Sequence, residues 1–197
     1  VHNGIVENAS ELRESLKKLG YSFLSETDTE TFLVQLTHEY KASGNVLDSI
    51  RETFKKIRGN SAFVIMQKNS HILYSIKRGA PLVCGLDEKS GDVYFSSDPY
   101  ALIGFTTKIY FPEDEILCVG DTRSADSFFS FFDIEGNVSK SFKVQKQERN
   151  LEVSVKGKFE HFMLKEIFEG PEVVRSAFRG RIKSKENLIK LGGLEGV

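Results

Sequence analysis

Two short polar stretches of this 197-residue chain hold residue types that could do chemistry: His2-Asn3-Gly4 at its start, and Ser25-Glu26-Thr27-Asp28-Thr29-Glu30 further on. An Asn amide beside a Gly backbone N–H offers two adjacent donors, the arrangement that stabilises an oxyanion during acyl transfer, and Gly lets the backbone come close to a substrate. A carboxylate such as Asp28 can hold a substrate ammonium group. Both stretches also have plain structural explanations. Asn-Gly is a common tight-turn dipeptide, and Asp at the start of a helix is a common N-cap; on spacing alone the turn and the cap are preferred. A nucleophile to go with these donors is not visible. Cys84 and Cys118 lie in apolar, strand-like runs without CxxC or His spacing, as buried structural thiols do. Ser25, Ser96 and Ser97 lack a GxSxG context, and His2, His38, His71 and His161 show neither HExxH spacing nor clustering with Cys. No glycine pattern matches a phosphate loop or dinucleotide fingerprint, so neither metal nor cofactor is expected.

The elements that must position Asn3, Gly4 and Asp28 can be read from hydrophobic period. Ser10, the apolar Leu12, Leu16 and Leu19, and Gly20 mark a capped helix with a glycine stop; a short strand is expected over 21–24. Thr27 or Asp28 caps a second helix carrying Phe32, Leu33, Leu36 and Tyr40, and Val46, Leu47, Ile50, Phe54 and Ile57 mark a third. From Ser61 the period changes to short β-rich runs (AFVIMQ, HILYSIK, PLVCGL, DVYFSSD, KIYF, EILCVG, FFSFFDI) separated by Gly, Asn, Asp and Pro. Helices followed by closely spaced strands predict an α+β fold with antiparallel sheets rather than a parallel βαβ fold. Near Lys146 a charged stretch, QKQERN, breaks the pattern; a strand-like LEVSV follows, then a segment predicted to form two helices meeting at a Gly170-Pro171 corner. The boundaries drawn are 1–145 for the strand-rich domain, 146–160 for a linker and 161–197 for the start of a further domain, too short to hold a core of its own.

Composition bounds the partners. Lys and Arg number 27 against 28 for Asp and Glu, so a net charge of −1 gives no electrostatic reason to expect nucleic acid or an anionic membrane. No apolar stretch approaches the roughly 20 residues that cross a bilayer. With no signal-peptide pattern and two thiols without a disulfide framework, a cytoplasmic chain is expected.

The run VHNGIVENASELRESLKKLGYSFLSETDTE resembles the interior of the class II, N-terminal-nucleophile glutamine amidotransferases. RGAPLVCGL, YFSSDPYAL and FMLKEIFEGP narrow the resemblance to the branch that delivers ammonia to fructose 6-phosphate, and it covers nearly the whole chain. The resemblance implies a four-layer αββα sandwich and a mechanism in which an N-terminal Cys, with its own α-amine as base, attacks the glutamine carboxamide; ammonia leaves, and water frees glutamate from the thioester. It implies that Asn3 and Gly4 form the oxyanion hole and that Asp28 holds the α-amino group of glutamine. It also implies a C-terminal isomerase half that takes fructose 6-phosphate, and a homo-oligomer at full length. Residue 1 is Val, so the expectation is a truncated chain whose nucleophile and Arg-Trp carboxylate-binding segment precede it, and which is inactive by itself. Gly170 stands where the branch usually has Gln, so a looser hinge is expected there. A degenerate amidotransferase domain that binds glutamine or acts as a scaffold, and a phosphoribosyl amidotransferase, are the alternatives.

Overall fold

The structure, a computed structural model, describes residues 1–123, 128–146, 157–179, 181–183 and 188–189. The chain divides into two compact units, residues 1–151 and 152–197. The expected strand at 151–155 and residues 147–156 of the expected linker lie outside the described residues.

The first unit opens with β1 (His2–Gly4), followed by helices α1 (Ala9–Lys18), α2 (Asp28–Ser43) and α3 (Val46–Lys56). Their caps follow from sequence in two cases. The Thr27 hydroxyl accepts the Glu30 N–H at the start of α2, and the Asn45 side chain accepts the Leu47 and Asp48 N–H groups at the start of α3. The start of α1 differs from expectation: the cap position is Asn8, not Ser10, and no side chain caps it. The Asn8 amide is engaged elsewhere, donating to the Lys56 carbonyl at 2.9 Å and accepting the Arg58 N–H at 2.8 Å, which ties α1 to the end of α3. Residues 21–24, expected as a strand, are irregular.

Eight strands follow: β2 (Ser61–Met66), β3 (Ile72–Arg78), β4 (Val83–Asp87), β5 (Asp92–Ser96), β6 (Lys108–Pro112), β7 (Leu117–Asp121), β8 (Phe129–Phe132) and β9 (Phe142–Lys146). They form two antiparallel sheets, ordered β1-β2-β3-β7-β8 and β5-β4-β6-β9, so the chain passes to the second sheet after β3 and returns after β6. The α+β class with paired antiparallel sheets is the predicted one.

Alternation sorts each strand's residues between two cores. Phe63, Tyr74, Ile76 and Leu117 face the helices, where they meet Phe32, Leu36, Ile50, Phe54 and Ile57. Cys84, Leu86, Cys118, Phe129 and Phe131 fill the seam between the sheets. Burying one such Phe is worth about 1.5–3 kcal/mol. The outer face of the second sheet carries Val83 and Ile109 under Leu102 from the 3₁₀ turn Pro99–Leu102.

The second unit contains α4 (Phe162–Phe178) and a two-residue pairing of β10 (Ile182–Lys183) with β11 (Leu188–Ile189). The expected corner at Gly170-Pro171 is absent, because α4 runs through both residues. Proline there forgoes one intrahelical hydrogen bond, which shifts the cost of the helix without ending it. No hinge is present at Gly170. Phe162, Met163, Ile167, Phe168, Val173, Val174 and Phe178 of this helix are exposed.

Candidate functional site

Asn3-Gly4 is extended, not a hairpin turn. β1 pairs with β2 in the register His2↔Phe63, Asn3↔Ala62 and Gly4↔Ser61, and it is the edge strand of its sheet. The pairing explains the glycine. Gly4 has φ +120°, and a Cβ there would lie 2.2 Å from the Asn60 carbonyl oxygen and 2.8 Å from the Ser61 Cα. A side chain at position 4 would force β1 off β2, so the turn signal reports a close backbone approach instead.

The same pairing aims the Gly4 N–H. Val1 exchanges backbone bonds with Val64, at 2.8 Å and 3.0 Å, and the Ile5 N–H donates to the Asn60 carbonyl at 2.9 Å. In an antiparallel pair, bonded positions alternate, so His2 and Gly4 between these residues present their N–H groups away from β2. The Gly4 N–H therefore points out of the open edge of the sheet. Asn3 is exposed beside it, on the opposite face from His2.

Asp28 is the first residue of α2. Thr27 supplies the cap, and that releases the Asp28 carboxylate for other work. Its Oδ2 accepts the Val6 N–H at 2.9 Å, and its Oδ1 lies 3.6 Å from His2 Nδ1. The carboxylate is thus bracketed by residues 2 and 6, with Asn3 and Gly4 between them. The Asp28 side chain keeps 28% of its surface exposed, enough to meet a ligand. Asp28 and Gly4 therefore lie along one short segment, with the Asn3 side chain leaving β1 on the face opposite His2.

Sequence reasoning missed the residues that shape this site. His2 is stacked on Phe63 with centroids 4.3 Å apart, and Phe63 on Phe32 of α2 at 3.7 Å. Its Nδ1 sits 3.0 Å from Thr29 Oγ1. Burial lowers the His2 pKa, opposed by the nearby Asp28 charge, so the ring favours its neutral form. Arg13 of α1 donates to the carbonyls of Ser25 and Thr27, at 2.6 Å and 2.9 Å, and Glu30 accepts the N–H groups of Leu24 and Ser25 at 2.7 Å and 2.6 Å. These hydrogen bonds, led by that from Leu24, lower the Glu30 pKa. Together the two side chains hold residues 24–27 in the shape that delivers Asp28. A signal for Glu30 was present in the Thr27-x-x-Glu30 pattern, whose acidic residue ordinarily reaches back to amides before the helix. His2 and Arg13 gave no such signal.

Both thiols lie elsewhere. Cys84 and Cys118 are fully buried in the seam, Ser75 Oγ lies 3.7 Å from Cys84 Sγ, and burial pushes the Cys118 thiol well above its ordinary pKa. Neither can present a thiolate to a ligand at the edge. Among the described residues no group of three or more His, Cys, Asp or Glu side chains is placed to hold a metal ion, and no helix is long and apolar enough to cross a membrane.

Residues 1–104 match the family model described as "Glutamine amidotransferase domain". The glutamine–fructose-6-phosphate aminotransferase [isomerizing] of Haemophilus influenzae is 38% identical over 192 residues, which cover 96% of this chain and 30% of that protein. The protein of the same name from Thermus thermophilus is 36% identical, across 98% of this chain and 30% of its own length. The chain thus spans about 30% of these curated relatives. Among solved structures, the glutamine phosphoribosylpyrophosphate amidotransferase of B. subtilis superposes with a TM-score of 0.56 at 24% identity, over 70% of this chain and 29% of that one. At that identity the likeness speaks to fold alone.

Proposed function

Because the chain belongs to the glutamine amidotransferase family, we propose that its first unit is the glutamine-hydrolysing part of an enzyme that passes the released ammonia to fructose 6-phosphate. The observation that carries this reading is the Gly4 N–H aimed out of an open sheet edge next to the exposed Asn3, with the Asp28 carboxylate bonded to the Val6 N–H of the same segment. Glutamine lies with its α-ammonium on Asp28 and its carboxamide oxygen against Asn3 and Gly4. A thiolate attacks the carboxamide carbon, and the C–O π electrons move onto the oxygen that the two donors stabilise. The C–N bond then breaks, the nitrogen leaves as ammonia with the proton taken from the thiol, and water releases glutamate from the thioester. Since Cys84 and Cys118 are sealed in the seam, that thiol comes from outside these residues. Incubated with glutamine, residues 1–197 alone accordingly form no glutamate above the blank.

The acceptor assignment draws support from relatives of 38% and 36% identity whose names contain fructose 6-phosphate. On this reading residues 161–197 begin the acceptor domain, and the whole protein is a cytoplasmic homo-oligomer. The decisive experiment supplies the full-length protein with amide-¹⁵N glutamine and either fructose 6-phosphate or phosphoribosyl pyrophosphate. Label in an amino sugar phosphate is the expected result; label in phosphoribosylamine, or in neither, rejects it. In the same protein Asn3→Ala lowers glutamine turnover about 10²-fold or more, with an unchanged melting temperature. Wild-type turnover in that variant rejects the oxyanion role.

A further inference from the structure

We propose that His2 is a positioning residue that fixes the separation between Asp28 and the Asn3–Gly4 pair, and thereby makes the site select glutamine over asparagine, its homologue shorter by one methylene. The inference rests on the reading of Asn3, Gly4 and Asp28 as a glutamine site. His2 reaches α2 in two ways: its ring stacks on Phe63, itself stacked on Phe32, and its Nδ1 lies 3.0 Å from the Thr29 hydroxyl and 3.6 Å from Asp28 Oδ1. Its side chain is 3% exposed, and Nε2 is buried without a hydrogen-bond partner. An orphaned N–H costs more than an orphaned ring lone pair, and a proton on Nδ1 faces both the hydroxyl and the carboxylate. The ring therefore carries its proton on Nδ1 and donates it to Thr29.

The geometry gives this bond a reach beyond local stability. The Val6 N–H fixes one oxygen of Asp28, and His2 bonds to Thr29, the next residue of α2, so the first turn of that helix is tied to both ends of the segment that contains the two donors. The distance from ammonium anchor to oxyanion donors is then set by residues 2–6 and α2 moving as one body. Glutamine and asparagine differ only in that distance. Loosening the His2 end lets Asp28 drift, which weakens glutamine binding and blurs the distinction between the two amides.

The test compares variants that separate stacking from donation. His2→Phe keeps a ring against Phe63 and loses the donor; His2→Asn places an amide N–H where Nδ1 stood. In the full-length protein His2→Phe raises KM for glutamine about 10-fold and narrows the glutamine-to-asparagine ratio of kcat/KM by a similar factor. His2→Asn recovers most of both. Thr29→Val reproduces the His2→Phe effect, and the double variant adds little to it. An unchanged KM and ratio in His2→Phe, with Asp28→Ala raising KM, overturns the role of His2 while leaving the glutamine site standing. An unchanged KM in Asp28→Ala overturns both. Nitrogen NMR of the imidazole in residues 1–197 gives an answer that depends on no variant: an Nδ1–H tautomer is expected, and an Nε2–H tautomer overturns the proposal.

Discussion

The open edge of the first sheet and the seam between the two sheets are built from the same kind of strand, yet only the edge leaves its polar groups accessible to a ligand. At the seam Cys84 and Cys118 are surrounded by Leu86, Phe129 and Phe131, which seal both from water, and burial pushes the Cys118 thiol well above its ordinary pKa. At the edge, Asn3 and Gly4 have ordinary polarity but lie on a strand that is unpaired on one side among the described residues, so the Gly4 N–H faces outward next to the exposed Asn3. An edge strand is usually a liability, because unpaired groups invite other strands. Here it supplies fixed donors. The more nucleophilic residue type is sealed from water and the proposed donors are accessible, and the difference lies in solvent access and backbone orientation.

Substitutions can separate the two regions. Phe131→Ala in the seam is expected to have the largest effect on stability. This side chain is stacked on Phe142 at 4.2 Å, and its loss costs about 3–5 kcal/mol. Denaturant unfolding checks the figure, and a loss under 1 kcal/mol contradicts a tightly packed seam. Gly4→Ala comes next, at about 3 kcal/mol, because the new Cβ meets the Asn60 carbonyl at a φ that suits only glycine. Weakened protection of the β1 and β2 amides in hydrogen exchange should accompany it; protection at the wild-type level would mean that β1 does not need the close approach. Cys118→Ala is milder, about 1 kcal/mol from a methyl-sized void, with glutamine turnover of the full-length protein unchanged. Reduced turnover would draw the seam into the site.

The smallest effect is one of pH. His2 has a folded pKa below its ordinary 6.5, so the unfolded chain binds the extra proton first and stability falls with pH. The contribution is complete above the unfolded value and is lost as pH drops through the lower folded one. His2→Phe flattens this stretch of the stability–pH curve, and identical curves for the two proteins rule out a buried neutral ring.

Much of the fold was legible because its signals are local. Phe32 and Leu36 recur at helical spacing on α2, and alternation in HILYSIK places Tyr74 and Ile76 on the helix side. β9 went unrecognised: Phe142 and Val144 do alternate with Lys143 and Gln145, but the run is short, mostly exposed and continuous with the charged QKQERN stretch, which masks the alternation. The helix-start Ser10 and the Gly170-Pro171 corner misled for a shared reason. Each is a local preference that a competing interaction outweighed, the Asn8 amide bonding to the end of α3 in one case and the continuous hydrogen bonding of α4 in the other.

For the candidate site, sequence by itself determined which residues are proposed, since Asn3, Gly4 and Asp28 are named by residue type and by their resemblance to a family. It also determined that Thr27 could take the cap. Tertiary structure alone decided that Asn-Gly forms an edge strand, that the Gly4 N–H points outward, and that Asp28 accepts the Val6 N–H close to the His2 ring. The reason is physical: a dipeptide's turn preference amounts to a kilocalorie or so, whereas the register of β1 on β2 is set by partners some 60 positions away in the chain, whose pairing no local pattern encodes.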